Sequence, residues 1–187
     1  MVVRRSDTKE RIEQVALELF VEQGYEKTSL REIAERLEVT KAALYYHYRT
    51  KEDIVHGLID DLVGSLDELL EWGRAQPRPA QAREEVLRRF ATLVEGRFGP
   101  IMQFIQQNMP AMKELGVKHS LGEKLAALFQ LVGADEHDPA MQLRTRLALV
   151  AILLSNAPMF GAPQVADVST DLALQVALEL VAPRESF

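Results

Sequence analysis

A chain of 187 residues, 47% hydrophobic and 27% charged, is long enough to bury a core and too aliphatic to remain disordered. It contains no cysteine, which excludes disulfide staples, thiolate metal sites and cysteine nucleophiles. The net charge of −6 argues against a surface that is basic all over, yet the charge is uneven: residues 1–51 hold ten Lys and Arg against nine Asp and Glu, and residues 52–187 hold twelve against nineteen. Any polyanionic partner therefore requires N-terminal positive charges gathered on one face. The first residues lack an apolar run, and the longest such run, Leu147 to Leu154, is far short of a membrane span, so a cytoplasmic protein is expected.

In chain order, Asp7 with Glu10 reads as the cap of a first helix whose buried stripe is Ile12, Val15, Ala16, Leu19 and Phe20, and which Gly24 ends. Ser29 and Glu32 form a capping box for a second helix of about two turns, with Leu30, Ile33, Ala34 and Leu37 inward. Glu38 and Val39 turn the chain. Thr40 then caps a third helix over 41–48, with Leu44 and Tyr48 inward and Lys41, Ala42, Tyr45 and His47 outward. Thr50 caps a fourth, long helix over about 51–71, and Pro77 and Pro79 place a loop over 73–82. A fifth helix is expected over 83–98, broken by Gly99 and Pro100, and a sixth over 101–108. Gly116 and Gly122 predict a broken seventh element over 110–133, firmer at 121–131. Asp138 and Pro139 open a helix to about 157, and Ser169 or Thr170 opens a last one to about 181. No alternating strand pattern occurs, so the fold class is all-α with about nine helices.

Three short helices with a tight turn between the second and third are the arrangement that sets a recognition helix in a DNA major groove. The residue types suit that task. Lys41 can reach guanine edges, while Ala42 and Ala43 are small enough for close approach and contact with thymine methyls. Tyr45, Tyr46, His47 and Lys51 carry donors for phosphates, and Thr28, Ser29, Arg31 and Thr40 stand where a strand crosses. Arg4 and Arg5 could form a basic arm.

The run from Thr28 through Leu44-Tyr45-Tyr46-His47-Tyr48 to Lys51-Glu52-Asp53-Ile54 resembles the DNA-binding signature of the tetracycline-repressor (TetR) family, over roughly residues 8–56. One position departs: the family often has glycine where this chain has Glu38, at a cost of about 1 kcal/mol if that residue takes a positive φ. The resemblance implies a helix-turn-helix DNA-binding domain over 1–50 and a helical domain over 51–187 that binds a ligand and dimerises. On that expectation the protein is a repressor, binding a palindromic operator as a homodimer and released by a small, largely apolar effector. Trp72, Phe90, Met102, Phe104, Ile105, Asn108, Met109, Met112 and Phe129 are candidates to line the pocket, though such residues at helical spacing commonly form plain core. Leu143, Leu147, Val150 and Leu154, with Leu174 and Leu178, are candidates for the dimer interface.

Other readings are weaker. His56/Asp60 and His119/Glu123 stand four apart, but two ligands do not make a metal site, and no cofactor is expected. The scattered histidines and serines show no nucleophile beside a base, so no enzyme is expected. The alternative is a helical small-molecule-binding or scaffold protein without DNA binding.

Overall fold

A computed structural model describes residues 5–77, 79–133, 137–156 and 168–182. Among these the chain is helical throughout, with no strand: α1 (Arg5–Gln23), α2 (Leu30–Arg36), α3 (Lys41–His47), α4 (Lys51–Arg74), α5 (Pro79–Leu93), a π-helical segment (Val94–Phe98), α6 (Gly99–Gln107), α7 (Met109–Glu114), α8 (Val117–Val132), α9 (Pro139–Asn156) and α10 (Thr170–Val181). The all-α expectation is met, with ten α-helices in place of about nine. The extra one arises because Gly116, at φ 70°, divides the broken seventh element into α7 and α8. Arg4 lies outside the described residues.

Among the boundaries, α1 starts at Arg5, so Asp7 lies within it and not at its cap, and α4 runs on to Arg74; two further differences are explained by proline. Pro79 opens α5 four residues before the predicted start, because a first-turn proline has a helical φ and needs no amide donor there. Gly99 and Pro100 do not break the chain. Gly99 is itself helical, at φ −56° and ψ −58°, and its N–H donates to the Val94 carbonyl five residues back. A π-helical turn thus absorbs the missing proline donor and hands the backbone on to α6.

The chain forms two compact units, one of residues 1–62 with 100–118, the other of residues 63–99 with 119–187. In the first, Ile12, Ala16, Phe20, Ile33, Leu44, Ile54, Leu58 and Leu62 are buried together with Ile101, Phe104 and Met112. Phe104 stacks on Phe20, ring centroids 5.3 Å apart, and lies 5.8 Å from Tyr25, so α6 contributes to the same core as α1. In the second, Leu66, Leu70, Leu87, Phe90, Phe98, Leu128 and Ile152 are buried. Here α9 and α10 pack on each other and both also pack on α5, with the small residues Ala148 on α9 and Ala173 and Ala177 on α10 buried. Among the described residues no helix is long and apolar enough to cross a membrane.

Candidate nucleic-acid interface

The geometry of α3 is set by its neighbours. α2 begins with the predicted capping box: the Ser29 side chain accepts from the Glu32 N–H at 3.3 Å, while the Ser29 N–H donates to Glu32 Oε2 at 2.7 Å. Those donors stabilise the carboxylate and hold the Glu32 side chain below the usual carboxylate range. The end of α2 is a Schellman turn, in which Val39 N–H donates to the Ala34 carbonyl at 3.0 Å and Glu38 N–H to the Glu35 carbonyl at 3.1 Å. That turn demands a left-handed residue, and Glu38 supplies it at φ 56°. It is the only non-glycine residue with positive φ among those described, at the position where the family resemblance leads one to expect glycine. Thr40 accepts from the Ala43 N–H at 3.2 Å and starts α3 three residues after α2 has been capped by Leu37.

On α3, Leu44 is wholly buried and Tyr48, at its C-terminal cap, nearly so. Lys41, Ala42 and Ala43 are exposed, Tyr45 is 48% and Tyr46 67% exposed, and His47 is half-buried with its ring edge-on to Tyr46 at 5.3 Å. Tyr45 and Tyr46 thus lie on the exposed side of this seven-residue helix.

Several supporting residues have roles that the sequence does not disclose. Thr28 is buried, and its hydroxyl donates to the Gly24 carbonyl at 2.9 Å, so it is turned inward and closes the end of α1. Arg31 is exposed but paired with Glu35 at 2.6 Å. The Lys51 ammonium donates to the Tyr25 carbonyl at 2.9 Å, stands 4.1 Å over the Tyr25 ring, and lies 3.7 Å from Glu26. Tyr25 in turn donates to Glu52 Oε1 at 3.0 Å. Burial first, and then the Glu52 carboxylate, push the Tyr25 phenol up, so it stays a donor. Burial opposes ionisation of Glu52, but the backbone donor at the head of α4 and the Tyr25 hydroxyl outweigh it and hold that carboxyl below its usual range. Asp53 completes the α4 cap by accepting from the Thr50 N–H at 3.0 Å.

The pocket candidates fall in both units. Met102, Phe104, Ile105, Asn108, Met109 and Met112 lie in the first, with Phe104, Ile105 and Met112 buried and the Asn108 amide donating to the Phe104 carbonyl at 2.9 Å. Trp72, Phe90 and Phe129 lie in the second, Phe90 wholly buried and Trp72 covered by the Arg89 guanidinium 3.9 Å from its ring centroid. Of the interface candidates, Leu143, Leu147 and Leu154 on α9 are exposed and Val150 half-buried; on α10, Leu174 and Leu178 are half-buried, while Leu172 and Val176 carry the exposed apolar surface. No group of three or more metal-ligating side chains occurs among the described residues.

Two helices joined by a Schellman turn, the second presenting polar and aromatic side chains outward, constitute a helix-turn-helix module. Residues 12–58 match the family model described as bacterial regulatory proteins, tetR family, so that segment is similar to the DNA-binding part of the TetR family. It is 32% identical over 117 residues to the transcriptional regulator AcrR of Shigella flexneri, an alignment covering 59% of this chain and 54% of that one. It is 28% identical over 116 residues, 62% of each chain, to IcaR of Staphylococcus epidermidis, the negative transcriptional regulator of the biofilm operon icaADBC. The chain thus spans between about half and two thirds of the length of these curated relatives. The fold is that of a transcriptional regulator from Aquifex aeolicus, with TM-score 0.67 and 20% identity over 92% of this chain and 96% of that one.

Proposed function

We propose that this protein is a transcriptional repressor that binds a palindromic DNA operator as a homodimer and is released by a small, largely apolar effector. The observation that carries the reading is the open face of α3, Lys41, Ala42, Tyr45 and Tyr46 exposed above a buried Leu44, within the family's matched segment. Lys41 reads a guanine edge, Ala42 and Ala43 allow close approach, and Tyr45, Tyr46 and His47 bind phosphates, with Ser29, Arg31 and Thr40 along the flanking strand. Thr28 and Lys51 contribute by fixing the turns beside α3. The negative regulation named for the Staphylococcus relative supports repression as the sign.

Residues 1–50 form the DNA-binding domain in this reading, and residues 51–187 serve ligand binding and dimerisation. The exposed leucines of α9, with Leu172 and Val176 of α10, suit burial against a second copy across a two-fold axis. Because Phe104 shares a core with Phe20 and Tyr25, an effector that repacks Phe104 acts on the unit that holds α3. Lowering operator affinity a hundredfold requires about 2.7 kcal/mol of differential binding, within the range of known coupling energies.

Selection of bound duplexes from a random library tests the proposal, with the expected result a palindrome whose half-sites lie one helical turn apart, about 34–36 Å. No preferred sequence at low salt would favour the scaffold or small-molecule-binding alternative. Lys41→Ala is expected to cost about 1–3 kcal/mol on the selected operator and much less on random DNA. Equal losses on both would remove Lys41 from base readout.

A further inference from the structure

Beneath α3 lies a titratable cluster that the DNA-binding face does not use. Glu13 of α1 is wholly buried. Its Oε1 accepts from the Tyr48 hydroxyl at the C-terminal cap of α3 and lies 3.3 Å from the Lys9 ammonium, which also donates to Asp61 Oδ1 of α4 at 3.2 Å. The pair sits directly on the backbone of α4: a Cβ on Gly57 would lie 2.6 Å from both Glu13 Oε1 and the Tyr48 hydroxyl. Glu13 Oε2 is buried with no hydrogen-bond partner.

Two carboxylates bear on the Lys9 ammonium here, and Glu13 has no access to water, so its ionisation costs desolvation beside a like charge. The orphaned Oε2 lacks a donor. Asp61, which meets the same Lys9 ammonium, sets a second negative charge close to Glu13, so a proton held on Glu13 relieves their repulsion. A proton on Glu13 removes that cost, leaving Lys9 paired with Asp61 while Tyr48 still donates to Glu13. Lys9 and Asp61 are partly exposed, which gives the proton a route to solvent.

We propose that Glu13, beside Asp61, binds a proton and with Lys9 and Tyr48 latches the C-terminal end of α3 to α1 and α4, proton uptake tightening the latch and proton loss loosening it. Burial raises the Glu13 carboxyl above its usual range, Asp61 adds to that, and the Tyr48 hydroxyl and Lys9 oppose it; Asp53 is the other acidic group facing Tyr48. A raised pKa in the latched state means that the stability the Glu13 carboxyl contributes is fully present below the ordinary glutamate pKa and is lost as pH rises through the latched value. Between those two pH values, the closed-to-open ratio falls by up to about tenfold per pH unit.

Carbon-13 carboxyl NMR of glutamate-labelled full-length protein tests this directly. The Glu13 signal is expected to titrate above the other glutamates, and Tyr48→Phe, which removes a donor to the ionised form, to move its midpoint higher. Amide exchange of residues 44–48, corrected for intrinsic rates, is expected to lose protection with rising pH in the wild type and to be flat in Glu13→Gln. A Glu13 midpoint at or below the ordinary glutamate value, or the same pH dependence in Glu13→Gln, would overturn the latch. If DNA binding also holds, a duplex selected by the wild type should be bound more weakly as pH rises, with Glu13→Gln insensitive. This last arm rests on the proposed function; a protein that selects no duplex but shows the titration and the exchange profile retains the latch and loses the repressor reading.

Discussion

The two compact units both bury aliphatic and aromatic cores, and differ in what is most prominent beside them. In residues 1–62 and 100–118, side-chain hydrogen bonds fix the turns: Ser29 with Glu32, Thr40 with Ala43, Thr28 with Gly24, Tyr25 with Glu52, and Tyr48 with Glu13. In residues 63–99 and 119–187, the core is aliphatic and aromatic, and the helix pair α9 and α10 leaves Leu143, Leu147, Leu154, Leu172 and Val176 open. Hydrogen bonds are directional and specify an angle, whereas apolar burial depends mainly on area and tolerates exchange of one side chain for another. The first unit is thus built to hold a seven-residue helix at one orientation, and the second to present a surface.

The largest test of this contrast is Phe20→Ala, expected to cost about 3–5 kcal/mol because a wholly buried ring on Tyr25 and Phe104 is lost. Denaturation followed by tyrosine fluorescence reads it, since all four tyrosines lie in the first unit and Trp72 in the second. A loss under about 1 kcal/mol would contradict the packing described. Two glycines of α4 sharpen the comparison. Gly57→Ala pushes a methyl into the Glu13–Tyr48 pair and is expected to cost about 1–3 kcal/mol. Gly73→Ala meets the Cδ2 tip of Leu131 at 2.5 Å, a flexible end that can turn away, and gains about 1 kcal/mol in helix propensity, so its net effect should be smaller. Equal losses at the two positions would erase the distinction between a directional and an apolar contact.

Lys51→Ala is expected to lower stability by about 1–2 kcal/mol through the bond to the Tyr25 carbonyl and the contact with its ring, seen as a lower midpoint with unchanged denaturant slope. An unchanged midpoint would leave Lys51 with no structural role. Glu38→Gly should raise stability by up to about 1 kcal/mol, relief of the left-handed strain being offset in part by the greater freedom of the unfolded chain. A fall in stability would show that the glutamate side chain earns its position by a contact of its own.

The helix-turn-helix was legible because its signals are local. Ser29 and Glu32 are three residues apart, Thr40 and Ala43 likewise, and Leu44 and Tyr48 share one helical face. The family resemblance marked Glu38 as standing where glycine is common, with a cost if its φ is positive; the structure puts it at φ 56°. Glu13 gave no such signal. Its partner Tyr48 is 35 residues away, and on the first helix it reads as one more polar position beside Ile12. The role of Lys51 was hidden for the same reason, since Tyr25 lies 26 residues before it. On α10 the leucine pattern was ambiguous, and packing of Ala173 and Ala177 put Leu172 and Val176 on the open side, with Leu174 and Leu178 only half-exposed.

Caps, turns and apolar periodicity act over a few residues, so the amino-acid order alone determined that this chain is all helical and that residues 29–48 form two helices around a sharp turn. Burial and electrostatics depend on which distant segments meet. The tertiary structure alone decided that α6 joins the core of α1, that Thr28 and Lys51 turn to structural work, and that a carboxylate is sealed beneath the end of α3. The cost of burying a charge is set by everything around it in space, and no pattern along the chain records that.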